Sequence, residues 1–167
     1  MMKIINQPNK LPYSALMEIY SESIEIAAAM DNPNLQGSAA RIQAEQDFYS
    51  YLYHDFFSTA GAVCFLWETE GKFVAAMRLE PYDDGMLVTG LETHPNMRGR
   101  GAAKCLLAAV IEYAMSCGVK NIYSHVKKDN EISLAVHISC GFERIRDHAF
   151  CLDGSCNTEM YTLCRSR

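Results

Sequence analysis

The residues whose types and spacing point most directly to chemistry lie in a short basic, glycine-rich run, Arg98-Gly99-Arg100-Gly101-Ala102-Ala103. It separates an apolar strand predicted at 86–93 from an amphipathic helix predicted at 102–117. A loop at a helix start leaves backbone N–H groups unpaired at the positive end of the helix dipole. Glycines let an anion approach the backbone closely, and arginines add charge suited to phosphates. The run predicts a cradle for a ligand with several phosphates; the alternative is a basic turn without a ligand.

Two other phosphate-binding glycine loops fit this run less well. A Walker loop needs Lys followed by Ser or Thr directly after its last glycine, whereas Ala102 follows Gly101 here. A dinucleotide-binding loop turns directly off its strand and carries a third Gly or Ala. Here Lys104 occupies that third position, and residues 94–97 separate the strand from the run. A nucleotide-binding protein of another fold therefore stays as a less favoured alternative.

A second group of polar residues lies on a short helix predicted at 131–140. Asn130, Ser133 and His137 are spaced by three and four residues, so they share one helix face. Asn130 suits the N-cap of this helix, and Gly141 suits its C-terminal end. A polar stripe on a mostly apolar helix should face a polar partner or water.

The two strings together resemble the signatures of the GNAT superfamily of N-acetyltransferases. The first is Arg-Gly-x-Gly-x-Ala, and the second is Asn130-x-x-Ser133-x-x-x-His137-x-x-x-Gly141-Phe142, in the order and at the spacing typical of that family. The resemblance is dense over residues 86–150 and includes no specific motif before residue 60. It implies acetyl-CoA as co-substrate, with the pyrophosphate on residues 98–103 and with Asn130 and Ser133 in the same cofactor site.

The resemblance also implies how the cofactor's pantetheine arm is held. In that fold the strand before the loop and the strand after its helix diverge, and the arm lies between them. Backbone groups around Leu91 and Thr93 would then pair with the arm as if it were another strand. Gly90 suits a local bulge that opens such a strand, or simply close packing.

The reaction implied is direct attack of a neutral amine on the thioester in a ternary complex. Many family members carry a tyrosine that serves the leaving thiolate where this chain has His137; an imidazole can take that role, or His137 can make only a structural polar contact. Glu92, at the open end of the strand, is our candidate general base, with a solvated carboxylate or a water relay as alternatives. His94 and His125 are weaker candidates.

The acceptor is expected to be a small-molecule or peptide amine bound by the helices of residues 1–60 and the turn at 81–85. Asp83 and Asp84 could attract a cationic amine. An aromatic cluster precedes them, formed by Tyr49, Tyr51, Tyr53 and His54. The sequence does not name the acceptor. The rival class is a non-catalytic acyl-CoA-binding or regulatory module, which would keep the loop without the reaction.

Composition limits the class of protein. The chain has 167 residues, 49% of them hydrophobic, which suits one domain over 1–167 with a sizeable core. No apolar run reaches the roughly 20 residues of a membrane span, and the N-terminus lacks the features of a signal peptide. The formal net charge of −5 argues against a general nucleic-acid-binding surface. The sequence leaves a homodimer open.

The seven cysteines are odd in number and include no Cys-x-x-Cys, so we expect reduced thiols in a cytoplasmic protein. A zinc site built on His137 and Cys140 would lack two ligands, so no metal is expected.

These residues need a particular set of elements to position them. Periodicity and turn residues predict strands at 3–6, 62–69, 72–80, 86–93, 120–126, 142–152 and 157–164, with helices at 12–30, 38–57, 102–117 and 131–140. The first helix should end at the turn-forming residues 31–34. The expected fold class is α/β (α+β): a single GNAT-type domain with a mixed central sheet of about six or seven strands. About four helices should flank it, with a splayed strand pair holding CoA and the CoA-binding motifs within 86–142.

Overall fold

A mixed seven-stranded sheet forms the centre of the computed structural model, which describes residues 1–31 and 34–167. Its strand order is β1-β2-β3-β4-β5-β9-β6, and β7 and β8 form a separate two-stranded sheet. The strands are β1 (Met2–Ile5), β2 (Val63–Thr69), β3 (Lys72–Tyr82), β4 (Gly85–Thr93), β5 (Asn121–Lys127), β6 (Glu143–Arg146), β7 (Ala149–Phe150), β8 (Cys156–Asn157) and β9 (Met160–Ser166).

Helices cover both faces of this sheet, and each covered face has a large hydrophobic core. The helices are α1 (Tyr13–Ile19), α2 (Ser21–Asp31), α3 (Ser38–Ser50), α4 (Ala102–Ser116) and α5 (Glu131–Ser139). One face packs against α4, whose stripe of Leu106, Leu107 and Val110 is fully buried, as its periodicity predicts. The other face packs against α1, α2 and α3. Because side chains alternate along a strand, Met77 of β3 joins the first core and Ala76 the second.

The sheet opens between its two central parallel strands. β4 and β5 pair only from Met86 opposite Ile122 to Val88 opposite Ser124. Beyond that point β4 continues to Thr93 beside β3 alone, and β5 continues to Lys127 beside β9. The expected fold class, with its mixed sheet and its diverging strand pair, is therefore confirmed.

A bulge interrupts β4 in its opened half. Ala76 of β3 lies opposite Glu92 and Arg78 opposite Thr89, so β4 has one more residue than β3 between these pairs. Gly90 adopts φ +57°, a left-handed conformation that glycine accepts without a steric cost. The bulge predicted at Gly90 is therefore present.

The long helices predicted near the N-terminus are wrong in detail. The helix predicted at 12–30 is divided into α1 and α2 at Tyr20, whose backbone departs from helical geometry (φ −89°, ψ 14°). The Tyr20 ring is buried, and its hydroxyl donates to the Gly90 carbonyl at 2.6 Å. The helix predicted at 38–57 ends as α3 and continues as a π-helical turn, Tyr51–Asp55. No Gly or Pro marks either change. Residues 32 and 33 of the predicted helix end lie outside the described residues.

The strand predicted at 142–152 is also wrong, because it is two strands. Between β6 and β7, the His148 carbonyl accepts a hydrogen bond from Thr162 Oγ at 2.6 Å in place of a ladder bond. β7 then pairs with β8 across the predicted turn at 153–155, where Gly154 has φ +82°. The predicted turn is confirmed.

Candidate functional site

The glycine loop, residues 98–101, presents unpaired donors at the start of α4. Gly101 is the N-cap of α4 with φ +78°, and Gly99 has φ +74°. A Cβ added to either glycine would meet no atom within 4 Å, so the space before the loop is open. The first N–H here that donates to a backbone carbonyl is that of Cys105, to Gly101 at 2.9 Å. Among the described residues, the N–H groups of 99–104 have no acceptor, which is the arrangement of an anion cradle.

An ion pair attaches this loop to α2. Arg98 donates from Nη1 and Nη2 to the two carboxylate oxygens of Glu22, at 3.0 and 2.8 Å. Both side chains are about half exposed, 50% and 52%. Arg100 is exposed. The Arg98 guanidinium therefore binds a carboxylate in this structure, whereas the sequence predicts that it contacts a phosphate.

Glu92 lies on the opened half of β4 and contacts the residue of α2 that follows Glu22. Ser23 Oγ donates to Glu92 Oε1 at 2.5 Å. Burial raises the pKa of Glu92 above its ordinary value, while the Ser23 hydrogen bond and the charges of Arg78 and Arg98 oppose that shift. A carboxylate with a raised pKa is a stronger base than a solvated one.

A cavity of about 250 Å³, which we call the α2–α3 cavity, lies between α2, α3 and the sheet. Ser23, Arg78 and Glu92 provide its charged and hydroxyl groups. The rest of the lining is apolar or aromatic, formed by Tyr20, Ile24, Ala27, Ala44, Phe48 and Gly90. The candidate base therefore faces a small, mainly apolar space.

Arg78 is the functional candidate that the sequence analysis missed. Its guanidinium carbon lies 5.4–5.9 Å from the centres of four aromatic rings, those of Tyr20, Phe48, Tyr51 and Phe56. Its Nε and Nη1 atoms are buried with no hydrogen-bond partner among the described residues. The available signal was a single arginine inside the apolar strand sequence Val74-Ala75-Ala76-Met77-Arg78-Leu79.

His137 is the buried residue of α5, with 2% exposure. Its Nδ1 donates to the Ser133 carbonyl at 2.8 Å, which leaves Nε2 to accept from Ser124 Oγ at 2.9 Å. Burial lowers its pKa, so the imidazole is held neutral. Its ring packs edge-on against Phe142. This geometry favours the structural alternative, and the proposed role with the leaving thiolate stays an untested prediction.

The other cofactor-site predictions lie around the same opening. Asn130 caps α5, since its Oδ1 accepts from the Ser133 N–H at 3.0 Å. Leu91 packs against the α4 core, and Thr93 ends β4. Ala102 and Ala103 begin α4 directly behind the glycine loop. Their roles in binding the cofactor stay predictions.

The two weaker histidine candidates, His94 and His125, both contact neighbouring groups of the protein. His94 Nδ1 accepts from the Asn96 N–H at 3.2 Å. His125 lies edge-on to Tyr82 with ring centres 5.2 Å apart, and burial lowers its pKa.

The residues predicted to attract the acceptor do not form one cluster. Tyr49 and Tyr53 pack together at the surface, with His54 beside Tyr53. Tyr51 instead covers Arg78. Asp84 accepts hydrogen bonds from Asn121 and Tyr123, which lower its pKa, so it ties the β3–β4 turn to β5. Asp83 adopts φ +50° in that turn.

The opening of the sheet, the glycine loop and the N-terminus of α4 all lie at the same end of β4. This arrangement is that of the acetyltransferase fold, which the sequence resemblance implies. The chain belongs to the acetyltransferase (GNAT) family, whose model matches residues 19–142. It is therefore an acetyltransferase.

Solved structures with this fold cover the whole chain at low identity. PaiA N-acetyltransferase from Thermoplasma acidophilum, in complex with coenzyme A, has a TM-score of 0.67 and 10% identity, covering 100% of this chain and 99% of that one. A ribosomal-protein-alanine N-acetyltransferase from Brucella melitensis gives 0.66 and 20%, with coverage of 100% and 99%. Campylobacter jejuni N-acetyltransferase PseH, in complex with acetyl coenzyme A, gives 0.62 and 16%, also 100% and 99%. No curated protein matches this chain.

Within 1–31 and 34–167, no group of three or more His, Cys, Asp or Glu side chains could hold a metal ion. Among the same residues, no helix combines the length and apolar character needed to cross a bilayer.

Proposed function

We propose that this acetyltransferase moves an acetyl group from acetyl-CoA to a primary amine by direct attack within a ternary complex. The observation that supports this best is the position of Glu92. It lies on the opened half of β4, between the glycine loop and the α2–α3 cavity, with a raised pKa. A base at that point serves an amine bound in the cavity and a thioester bound along β4.

The cofactor side of the proposal uses backbone groups. We assign the pyrophosphate to the unpaired N–H groups of residues 99–104, which include those of Gly99, Arg100, Gly101, Ala102 and Ala103. The β4 backbone from Leu91 to Thr93, which has no β5 partner among the described residues, would pair with the pantetheine arm. Asn130 and Ser133 belong to this side as well. Bound acetyl-CoA supplies an activated acetyl thioester.

Glu92 is assigned as the base that takes the proton from the acceptor ammonium. Its hydrogen bond from Ser23 fixes the carboxylate, and burial makes it more basic than an exposed glutamate. The amine nitrogen then bonds to the acetyl carbon and loses its second proton to water, the carbon–sulfur bond breaks, and CoA leaves as the thiolate. Residues 1–60, through α2 and α3, line the acceptor side. We assign His137 no proton transfer.

The test has a binding arm and a turnover arm. Acetyl-CoA should stabilise the protein by about 2.7 kcal/mol at a hundred times its dissociation constant, while NAD and ATP should not. Stabilisation by NAD alone would overturn the cofactor assignment. CoA release is then measured over a panel of amines with Glu92→Gln, using Glu112→Gln on the exposed side of α4 as the matched control. Tight acetyl-CoA binding without turnover on any amine would instead indicate a non-catalytic module.

A further inference from the structure

We propose that the acceptor is a small amine that also carries a carboxylate, of the α-amino acid class, and that Arg78 binds this carboxylate. The inference rests on the proposed function, since it places the amine of the same molecule beside Glu92. It assigns the α2–α3 cavity as the acceptor site and Arg78 as the residue that determines acceptor specificity.

The first argument is that Arg78 lacks a partner. Its Nε and Nη1 atoms are buried without a hydrogen bond, and no ion pair among the described residues includes it. Glu80, buried two residues along the same strand, accepts from Thr89 instead. Buried polar groups in folded proteins nearly always have partners. A carboxylate matches a guanidinium best because it accepts two parallel N–H bonds.

The second argument is that Arg78 is held in position. Four rings surround the guanidinium carbon, and the Tyr20 ring is itself tied by its hydroxyl to the Gly90 carbonyl. Contacts between aromatic faces and a guanidinium are favourable and restrict its movement. A binding group that is already ordered loses little entropy when its ligand arrives. The rings therefore fix the cation without neutralising it.

The third argument is the charge pattern of the cavity. One cation, Arg78, and one carboxylate, Glu92, line the same space, and no ion pair joins them within the described part of the chain. An amino acid carries the opposite arrangement, an ammonium and a carboxylate a few bonds apart. A simple amine would leave Arg78 unmatched, and a diamine would place its second cation near the guanidinium.

The size and lining of the cavity narrow the class further. A volume of about 250 Å³ suits a ligand smaller than the drug-sized molecules of ordinary pockets. Ile24, Ala44 and Phe48 form apolar walls, which favour an apolar side chain over a third charged group. Apolar α-amino acids therefore fit both the charges and the walls.

The experiment compares three compounds that differ only at the carboxyl position: leucine, leucinamide and 3-methylbutylamine. Matched sets built on alanine and phenylalanine test other side-chain sizes. CoA release is measured at saturating acetyl-CoA, and kcat/KM is expressed per total acceptor concentration, because the proposed base receives the acceptor as its ammonium form. We expect the acid to exceed the amine that lacks the carboxyl group by about 10- to 150-fold in at least one set, the range for a hydrogen bond to a charged group.

Variants then assign this preference to Arg78. Arg78→Gln should remove it, and Arg78→Lys should keep part of it because the charge remains. Arg144→Gln is the control, since Arg144 is an exposed arginine on β6 whose guanidinium also lies over a ring, that of Tyr161. Melting temperatures confirm that each variant is folded.

Two results would overturn the proposal. One is equal or better use of the amines that lack a carboxyl group in every set. The other is an equal loss for all three compounds in Arg78→Gln, which would give Arg78 only a packing role. If no compound releases CoA although acetyl-CoA binds, the proposed function fails separately. Calorimetric binding of the amino acids then decides, and absence of binding, or binding unchanged in Arg78→Gln, would reject the carboxylate site.

Discussion

The glycine loop and the α2–α3 cavity lie on either side of the opened half of β4 but are built in opposite ways. The loop offers backbone N–H groups held by two glycines with positive φ. The cavity offers side chains from separate elements, among them Ser23 of α2, Phe48 of α3 and Arg78 of β3. A backbone site constrains the sequence at a few fixed local positions, whereas a side-chain site leaves each contributing segment free. The proposed cofactor side is therefore visible in the sequence, and the proposed acceptor side is visible only in the fold.

The largest expected effect is at Glu92, which lies between the glycine loop and the α2–α3 cavity. Glu92→Gln keeps an acceptor for the Ser23 hydroxyl but removes the base, so kcat should fall by about 10²- to 10⁴-fold. CoA affinity should change little. Stopped-flow or steady-state CoA release, with calorimetry for binding, measures both. A variant that retains full kcat would move the base elsewhere.

The pH dependence of Glu92 gives an independent check. Because burial raises its pKa in the fold, wild-type activity should fall on the acid side at a pH above the ordinary glutamate value of 4.5. The folded state binds the Glu92 proton more readily than the unfolded state, so protonated Glu92 stabilises the fold at low pH. This stabilisation is lost as pH rises through the folded pKa of Glu92. Glu92→Gln should therefore melt no lower than wild type at neutral pH. A clear loss of stability would show that the carboxylate is structural.

The second prediction sharpens the description of the glycine loop. Gly101→Val should weaken CoA binding by about 10- to 150-fold, the range for lost hydrogen bonds to a charged group. Gly118→Val is the matched control, because Gly118 also has positive φ and open space around it but ends α4. Both variants should lose similar stability from backbone strain. Equal CoA affinities in the two folded variants would remove the loop from the site.

The third prediction concerns stability, at His137. His137→Phe leaves the Ser124 hydroxyl without its acceptor in the core, which should cost about 1–3 kcal/mol in urea denaturation. Turnover per folded molecule should change little. Burial lowers the folded pKa of His137, so the neutral imidazole contributes to the stability of the fold above the ordinary pKa of 6.5. This contribution is lost as pH falls through the folded pKa. A large fall in kcat at matched folded fraction would instead restore the thiolate role predicted from the sequence.

The smallest expected effect is at the ion pair between the two sides. Glu22→Gln releases Arg98 for the phosphates, so CoA should bind up to about five-fold more tightly, since exposed pairs contribute about 0.2–1 kcal/mol. The gain should shrink with added salt. Glu25→Gln is the control on the same helix, because Glu25 pairs with Arg41 at 2.8 Å, away from the loop. Weaker CoA binding in Glu22→Gln would mean that Arg98 is positioned by Glu22.

The sequence predicted the parts of the fold that depend on local chemistry. The apolar stripe of α4, the Asn130 cap and the Gly90 bulge each follow from residue type and spacing, and each is present. The break at Tyr20 did not follow, because it depends on a hydroxyl donating to a carbonyl seventy residues away along the chain. The π-helical turn at Tyr51–Asp55 likewise has no local breaker.

The same division holds for the candidate site. Residues 98–103 were predicted from their glycines, and Glu92 from its place on the strand. Arg78 was missed because its role depends on rings at the break between α1 and α2, on α3 and in the turns after α3, which no periodicity connects to β3. The tyrosines at 49, 51 and 53 were grouped by sequence, but the structure separates Tyr51 from the other two.

The bulge at Gly90 also sets the phase of β4. In a regular strand, odd and even positions would keep to their own faces, so Thr89, which contacts Glu80 on the cavity face, would be followed on that face by Leu91. The additional residue inverts this order: Leu91 turns toward α4 and Glu92 toward α2. If the same residues paired without the bulge, a leucine would replace the carboxylate at the mouth of the cavity, whereas deletion of Gly90 would leave Glu92 on its present face. The bulge thus absorbs one additional residue, whose carbonyl accepts the Tyr20 hydroxyl, and keeps the carboxylate on the cavity face.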